Sequence, residues 1–132
     1  MSDLPEDLLY SRDHEWVSID GDTATVGITE YAQDQLGDIT YVDLPEIGHE
    51  IEQFNDAAVV ESTKAATDIY APLSGKVVEV NGELEDHAEV VNQDPYGDGW
   101  LMKIKYSNPA EQDSLMGAAA YEEFLDAGGD EH

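Results

Sequence analysis

The 132-residue chain contains no cysteine and only five lysines and arginines. Without cysteine the chain can form no disulfide framework, no thiolate metal site and no cysteine nucleophile, so any redox sulfur must come from a cofactor. The chain has 31 acidic residues and five basic ones, which gives a formal net charge of −26. Because such a charge repels nucleic acid and anionic membrane surfaces, we expect neither as a partner.

Long apolar runs are missing as well. No segment approaches the length that crosses a membrane, and the N-terminal residues Met1–Asp13 have no basic stretch before an apolar core. The sequence therefore predicts a soluble, cytoplasmic protein. With 41% hydrophobic residues the chain can build a core, and its length predicts a single domain over residues 1–132.

The acidic residues have two interpretations. They are scattered over turns and outward strand positions rather than collected in one tail. Charged residues of nearly one sign make up 27% of the chain, which is more one-sided than an ordinary mixed surface requires. An ordinary acidic surface is one interpretation. Adaptation to a salty cytoplasm, where salt screens the repulsion between hydrated carboxylates, is the interpretation that we favour.

Short alternating segments predict a mainly β chain. Two of them flank the turn signal Asp20–Asp22 and indicate a hairpin. The predicted strands are Trp16–Ile19, Ala24–Ile28, Ile39–Leu44, Ile51–Phe54, Ala57–Ser62, Gly75–Val80 and Trp100–Tyr106. In the last strand, alternation predicts that Trp100, Met102, Ile104 and Tyr106 share one face while Leu101, Lys103 and Lys105 share the other. Many short strands between glycine and proline turns indicate a two-sheet structure.

Helices are predicted at two places. Thr29 can cap a short internal helix that runs to Leu36, and Gly37 can end it. A C-terminal helical segment is predicted over about 109–127, with a break at Gly117. Residues 128–132 are predicted to fray.

No catalytic constellation is visible in the sequence. The histidines lack the i, i+3 or i, i+4 spacing of a helical zinc pair; they are His14, His49, His87 and His132. Carboxylates are so abundant that a neighbouring pair carries no weight as a general acid and base. The chain is therefore predicted to be non-catalytic. His14 lies beside Glu15 and Trp16, and its role stays open between packing and contact with a cofactor.

Lys64 is the basic residue for which the sequence context suggests a function. It lies in the segment ESTKAATDIYAPLSG, Glu61–Gly75, between two short apolar runs where a strand should turn back. An amine at such a tip is exposed and chemically modifiable, although a solvated turn lysine is the plain alternative. The acid at Glu61, the small residues around the lysine and the following Pro72 resemble the hairpin on which lipoyl and biotinyl carrier domains present their cofactor lysine.

The resemblance extends over nearly the whole chain. Five blocks in this order and spacing resemble the glycine cleavage system H protein family: HEW, VGITEYAQDQLGDITYVDLPEIG, ESTKAATDIYAPLSG, VVEVN and PYGDGW. The resemblance implies a lipoyl-domain-like flattened barrel or sandwich hybrid with a short internal helix and C-terminal helices. It also implies that Lys64 is the cofactor site and carries lipoate as an amide.

The partners follow from the same resemblance. The arm on Lys64 would receive an aminomethyl group from the pyridoxal phosphate enzyme glycine decarboxylase (P protein) and deliver it to the folate-dependent aminomethyltransferase (T protein). Dihydrolipoyl dehydrogenase (L protein) would reoxidise the arm, and a lipoylating enzyme would attach it. Two alternatives stay open. A biotinyl carrier usually has methionines around its lysine, whereas Lys64 lies between Thr63 and Ala65. An unmodified relative would act as a binding module, or as a lipoyl donor to other carriers.

Overall fold

The structure is a computed structural model that describes residues 7–126. Its strands are β1 (Leu9–Tyr10), β2 (Glu15–Asp20), β3 (Thr23–Ile28), β4 (Ile39–Asp43), β5 (Glu50–Ile51), β6 (Asp56–Ser62), β7 (Ala66–Tyr70), β8 (Gly75–Val80) and β9 (Met102–Tyr106). Its α-helices are α1 (Glu30–Leu36), α2 (Val90–Gln93) and α3 (Ala118–Asp126). Single 3-10 helices cover Gly82–Glu85 and Pro109–Ser114.

The strands form two antiparallel sheets. One has six strands in the order β1-β2-β3-β9-β8-β5, and the other has three in the order β4-β6-β7. A single cluster of buried side chains draws on both sheets, including Val26, Met102 and Ile104 from the larger and Val42 and Val60 from the smaller. The predicted mainly β, two-sheet fold with a short internal helix and C-terminal helices is confirmed.

Local signals in the sequence produce the elements around the first hairpin and α1. Strands β2 and β3 pair in register up to Asp20 and Thr23, and Gly21 in the turn has a φ of 65° that favours glycine. The Thr29 hydroxyl accepts the N–H of Ala32 at 3.2 Å and so caps α1. Gly37, with a φ of 81°, ends the helix as predicted.

Two strand predictions are wrong in part. At both places, side chains form hydrogen bonds with backbone groups that would otherwise pair with a neighbouring strand. The strand predicted over Ile51–Phe54 ends at Ile51, since the Gln53 N–H donates to the Ser74 hydroxyl at 2.8 Å. The strand predicted from Trp100 begins at Met102. Ahead of it, the Asn81 amide donates to the Trp100 carbonyl at 2.9 Å, and Leu101, predicted on the wet face, is fully buried.

The C-terminal prediction is confirmed in outline. Residues Pro109–Ser114 form a 3-10 helix that the Asn108 side chain caps by accepting a backbone N–H of its first turn, and α3 follows after Gly117. Ala127 and the tail 128–132 lie outside the described residues. The sequence did not predict β1, α2 or the 3-10 helix Gly82–Glu85. Among the helices of residues 7–126, none combines the length and the apolar character that a membrane span requires.

Candidate functional site

Lys64 lies at the tip of the β6–β7 hairpin. Strand β6 ends at Ser62 and β7 begins at Ala66, and the Ser62 N–H donates to the Ala65 carbonyl at 2.8 Å. The Ser62 hydroxyl oxygen accepts the N–H groups of Lys64 and Ala65, each at 3.2 Å. The lysine side chain is exposed. The turn therefore presents the amine to solvent on a hydrogen-bonded support, at the position that the sequence predicted.

The hairpin tip is attached to the end of α1. The Thr63 N–H donates to the Asp38 carbonyl at 3.1 Å. A Cβ placed on Gly37 would lie 3.4 Å from Lys64 Cε, so the lysine stem runs directly over the glycine that ends the helix. An arm that is extended from Lys64 thus starts beside the C-terminal end of α1.

A cleft of about 290 Å³ lies between α1 and β7. Its walls begin at Leu36, next to Gly37, and at Thr67, three positions after Lys64. Most of its lining is apolar or aromatic, and the lining residues are Asp13, His14, Tyr31, Ala32, Gln35, Leu36, Thr67, Asp68, Ile69 and Tyr70. The cleft can take an uncharged chain that reaches it from the hairpin tip.

A larger groove lies elsewhere on the molecule. It has a volume of about 790 Å³ and runs along β5 and β8, with Glu50, Glu52 and Glu111 among its lining residues. None of its lining residues belongs to the Lys64 hairpin. Because this groove does not border the Lys64 hairpin and the smaller cleft does, we assign the candidate site to the smaller cleft.

Glu15 is a fully buried acid next to the cleft. Its Oε1 accepts the Ser11 hydroxyl at 2.6 Å, and its Oε2 accepts the N–H of the cleft residue Tyr70 at 3.0 Å. Burial raises the pKa of Glu15 to about 8, and the hydrogen bonds from Ser11 and Tyr70 oppose that rise. The raised pKa brings the titration of this carboxyl close to neutral pH, and its two hydrogen bonds join β2 to β7.

His14 forms part of the cleft wall and has an unusual backbone. Its φ of 69° is left-handed, a conformation that costs a residue other than glycine about 1–3 kcal/mol. The His14 N–H donates to the Ser11 carbonyl at 3.1 Å, and the His14 carbonyl accepts the Thr29 N–H at 3.0 Å. Its Nδ1 lies 2.7 Å from the Tyr121 hydroxyl. The structure thus gives His14 both a packing role and a place in the cleft.

Comparison with known proteins identifies the family. Residues 8–128 match the family described as Glycine cleavage H-protein. The chain belongs to this family. The glycine cleavage system H protein of Symbiobacterium thermophilum is 54% identical over 97% of this chain and 100% of its own length. That of Thermus thermophilus is 51% identical over 95% of this chain and 98% of its own length.

A solved structure agrees with the sequence comparison. The crystal structure of a glycine cleavage system H protein from Mycobacterium marinum superposes with a TM-score of 0.83. It is 36% identical, and the match covers 93% of this chain and 99% of that one. Membership of the H-protein family makes the chain a lipoyl carrier of the glycine cleavage system rather than an enzyme, as the sequence predicted.

The other residues that the sequence singled out are not brought to the cleft. His49 and His87 are exposed and line no part of it, and His132 lies outside the described residues. Trp16 is buried, and its indole N–H donates to the Pro95 carbonyl at 2.8 Å, so its role is structural. Within residues 7–126, no group of three or more His, Asp or Glu side chains could hold a metal ion.

Sequence reasoning missed most of the cleft. On α1 the lining residues Tyr31, Ala32, Gln35 and Leu36 follow the i, i+1, i+4, i+5 pattern of one helical face. That pattern was available in the sequence. Its partner surface on β7 was not, because only the fold places α1 beside that strand.

The buried acid predicts a specific dependence of stability on pH. The pKa of Glu15 is higher in the folded protein than in the unfolded chain, so folding binds a proton between about pH 4.5 and pH 8. Its contribution to stability is complete below about pH 4.5 and is lost as pH rises through about 8. Compared with Glu15→Gln, the parent should lose about 1.4 kcal/mol of unfolding free energy per pH unit across this window.

Urea unfolding at several pH values would measure that difference. Glu61→Gln is the matched control, because Glu61 is exposed. The difference between this control and the parent should not change with pH. A constant difference between Glu15→Gln and the parent from pH 5 to pH 8 would show that Glu15 is ionised when folded.

Proposed function

We propose that Lys64 is the only lipoylation site of the chain and that lipoate is joined to its Nζ by an amide bond. The observation that carries the proposal is the position of an exposed primary amine at the tip of a hydrogen-bonded hairpin. The other lysines lie within β8 and β9. Two of them have acidic neighbours, since Lys103 Nζ lies 3.8 Å from Glu79 and Lys105 Nζ lies 3.9 Å from Asp22.

The tethered arm serves the partners of the glycine cleavage system. Lipoate held on Lys64 would supply a dithiolane whose sulfurs could carry an aminomethyl group from glycine decarboxylase to the aminomethyltransferase, with dihydrolipoyl dehydrogenase to reoxidise them. The chain contributes the mobile attachment point, and tethering gives the arm a high effective concentration at each docked enzyme. A lipoylating enzyme is the fourth partner, and the cytoplasm is the proposed location.

The cleft between α1 and β7 shelters the loaded arm between partners. Its apolar lining suits a hydrocarbon arm, and its two walls begin next to the Lys64 stem. Among the lining residues, Asp13 and Asp68 supply carboxylates that an amine at the end of the arm can approach. Excluding water there slows hydrolysis of the aminomethyl group.

Mass measurement of the protein from its native host tests the attachment. We expect the mass of one lipoyl group, and we expect peptide analysis to place it on Lys64. The mass of one biotinyl group would instead establish the biotinyl carrier, and an unmodified mass in an actively growing host would establish the binding module.

A bulky substitution in the cleft tests whether the cleft protects the loaded arm. Thr67→Trp places a bulky ring in the cleft, on a strand that tolerates aromatic residues. After loading and removal of the decarboxylase, this variant should lose its aminomethyl group about tenfold faster than the parent. Val78→Trp, at an exposed position on β8, is the control and should match the parent. Equal rates for the parent and Thr67→Trp would mean that the loaded arm does not use this cleft.

Glu61 is expected to help the lipoylating enzyme recognise the hairpin. The side chain is exposed, three residues before Lys64 on β6, so Glu61→Ala should change unfolding free energy by no more than about 0.5 kcal/mol. The initial rate of lipoylation should fall several-fold, because the enzyme loses a charged contact near the target amine. Glu83→Ala removes an exposed acid from the 3-10 helix Gly82–Glu85, outside the hairpin, and should leave the rate unchanged. Equal rates for both variants would show that the enzyme ignores Glu61.

A further inference from the structure

We propose that Tyr121, on the C-terminal helix α3, is a positioning residue that fixes His14 in the wall of the cleft and thereby determines how well the cleft retains the loaded arm. The inference rests on the proposed sheltering role of the cleft. Tyr121 does not line the cleft itself, so any effect must pass through the residues that it holds.

One buried hydroxyl reaches two parts of the cleft wall. Tyr121 is fully buried, and its Oη lies 2.7 Å from His14 Nδ1 although the two residues are 107 positions apart. The same Oη lies 2.9 Å from Thr29 Oγ1. The Thr29 oxygen also accepts the N–H of Ala32, a cleft residue, at 3.2 Å. A single phenol thus connects the loop before β2 with the first turn of α1.

The contact also constrains the imidazole ring. The hydroxyl has one proton and two neighbours, so it either donates to His14 Nδ1 or accepts from it. In each arrangement one tautomer and one ring orientation are favoured. The ring is packed at the same time between Tyr31 of α1, with centroids 4.6 Å apart, and Phe124 of α3, at 5.9 Å. Tyr31 lines the cleft, so a change in the His14 ring reaches a second part of the wall.

The phenol is itself held firmly. Its ring stacks on Tyr10 with centroids 4.8 Å apart and an interplanar angle of 22°. Tyr10 and Met116 exchange two backbone hydrogen bonds of 2.7 Å, which attach the segment before α3 to β1. Because the ring is buried and stacked on Tyr10, the hydroxyl has a defined place relative to His14.

Tyr121→Phe removes the hydroxyl and keeps the ring. In the lipoylated and loaded protein, we expect spontaneous loss of the aminomethyl group to become about tenfold faster, because the hydroxyl no longer holds His14 and Thr29. Leu125→Ala is the control. Leu125 packs against the same aromatic cluster from the same helix. Its replacement by alanine should destabilise α3 and leave the Tyr121 hydroxyl in place. Its rate should equal that of the parent. In a His14→Gln background, Tyr121→Phe should cause a smaller acceleration than in the parent, because only the contact with Thr29 is then left to lose.

These outcomes separate the two proposals. An unchanged rate in Tyr121→Phe, together with the expected acceleration in Thr67→Trp, overturns the role of Tyr121 alone. Equal acceleration in Leu125→Ala and Tyr121→Phe also overturns it, because stability would then explain the effect. An unchanged rate in Thr67→Trp overturns the shelter itself, and failure to load the arm overturns the assignment of Lys64.

A second readout needs no cofactor. Long-range ¹H–¹⁵N correlation spectra of the unlipoylated chain report the tautomer of each imidazole. His14 should show the same tautomer ratio in the parent and in Leu125→Ala, and a changed ratio in Tyr121→Phe, because Nδ1 has then lost the phenol. A tautomer ratio that Tyr121→Phe leaves unchanged, or that Leu125→Ala changes as much, would contradict the proposal.

Discussion

Replacing Lys64 with arginine is expected to abolish lipoylation and every carrier activity that depends on it. A guanidinium stays protonated in proteins and cannot act as the nucleophile that forms the amide. The folded structure should be preserved, because the side chain is exposed and its stem lies beside Gly37 at the end of α1. The melting temperature should therefore remain within a few degrees of the parent.

Incubation with a lipoate ligase followed by peptide mass spectrometry measures the effect directly. Lys76→Arg is the matched control, since Lys76 is an exposed lysine within β8. It should accept one lipoyl group at the parental rate and support glycine cleavage with the partner enzymes. A lipoyl mass on any residue of the Lys64→Arg protein would overturn the proposed single site.

The sequence predicted the parts of the site that depend on short stretches of chain. The tip of the β6–β7 hairpin follows from two apolar runs around a polar turn, and α1 follows from a threonine cap and a glycine stop. These signals involve only a few neighbouring residues, so they can be recognised from the sequence without knowledge of the fold. Resemblance to a family added the chemistry of Lys64, which periodicity could not supply.

The cleft and its supporting contacts could not be predicted from the sequence in this way. They join the loop around His14, the helix α1, the strand β7 and, through Tyr121, the helix α3. Burial of Glu15 could not be predicted from the sequence either, and burial is the largest cause of its raised pKa, ahead of the nearby charge of Asp13. A chain with 31 acidic residues offers no sign of which one is buried.

Raising the potassium chloride concentration from about 0.1 M to about 2 M is expected to raise the melting temperature by about 10–20 °C. The net charge of −26 repels itself in the compact state, and unfolding relieves that repulsion. The Debye length shrinks from about 10 Å at 0.1 M to about 3 Å at 1 M, so molar salt screens most of the repulsion between the carboxylates. Each kilocalorie per mole recovered raises the midpoint of a domain of this size by about 4 °C.

Ion pairs are a weak substitute for this screening. The pairs Lys103–Glu79 and Lys105–Asp22 are 3.8 and 3.9 Å long and solvent-exposed, and such pairs contribute about 0–1 kcal/mol each. Circular dichroism melts across the salt range would measure the shift, with sucrose as the uncharged control for strengthened apolar burial. Stabilisation by salt should be steepest at low concentration and exceed that by sucrose. A midpoint that does not move between low and molar salt would mean that the carboxylates are already far enough apart, and the salt-adapted interpretation of the acidic surface would then be wrong.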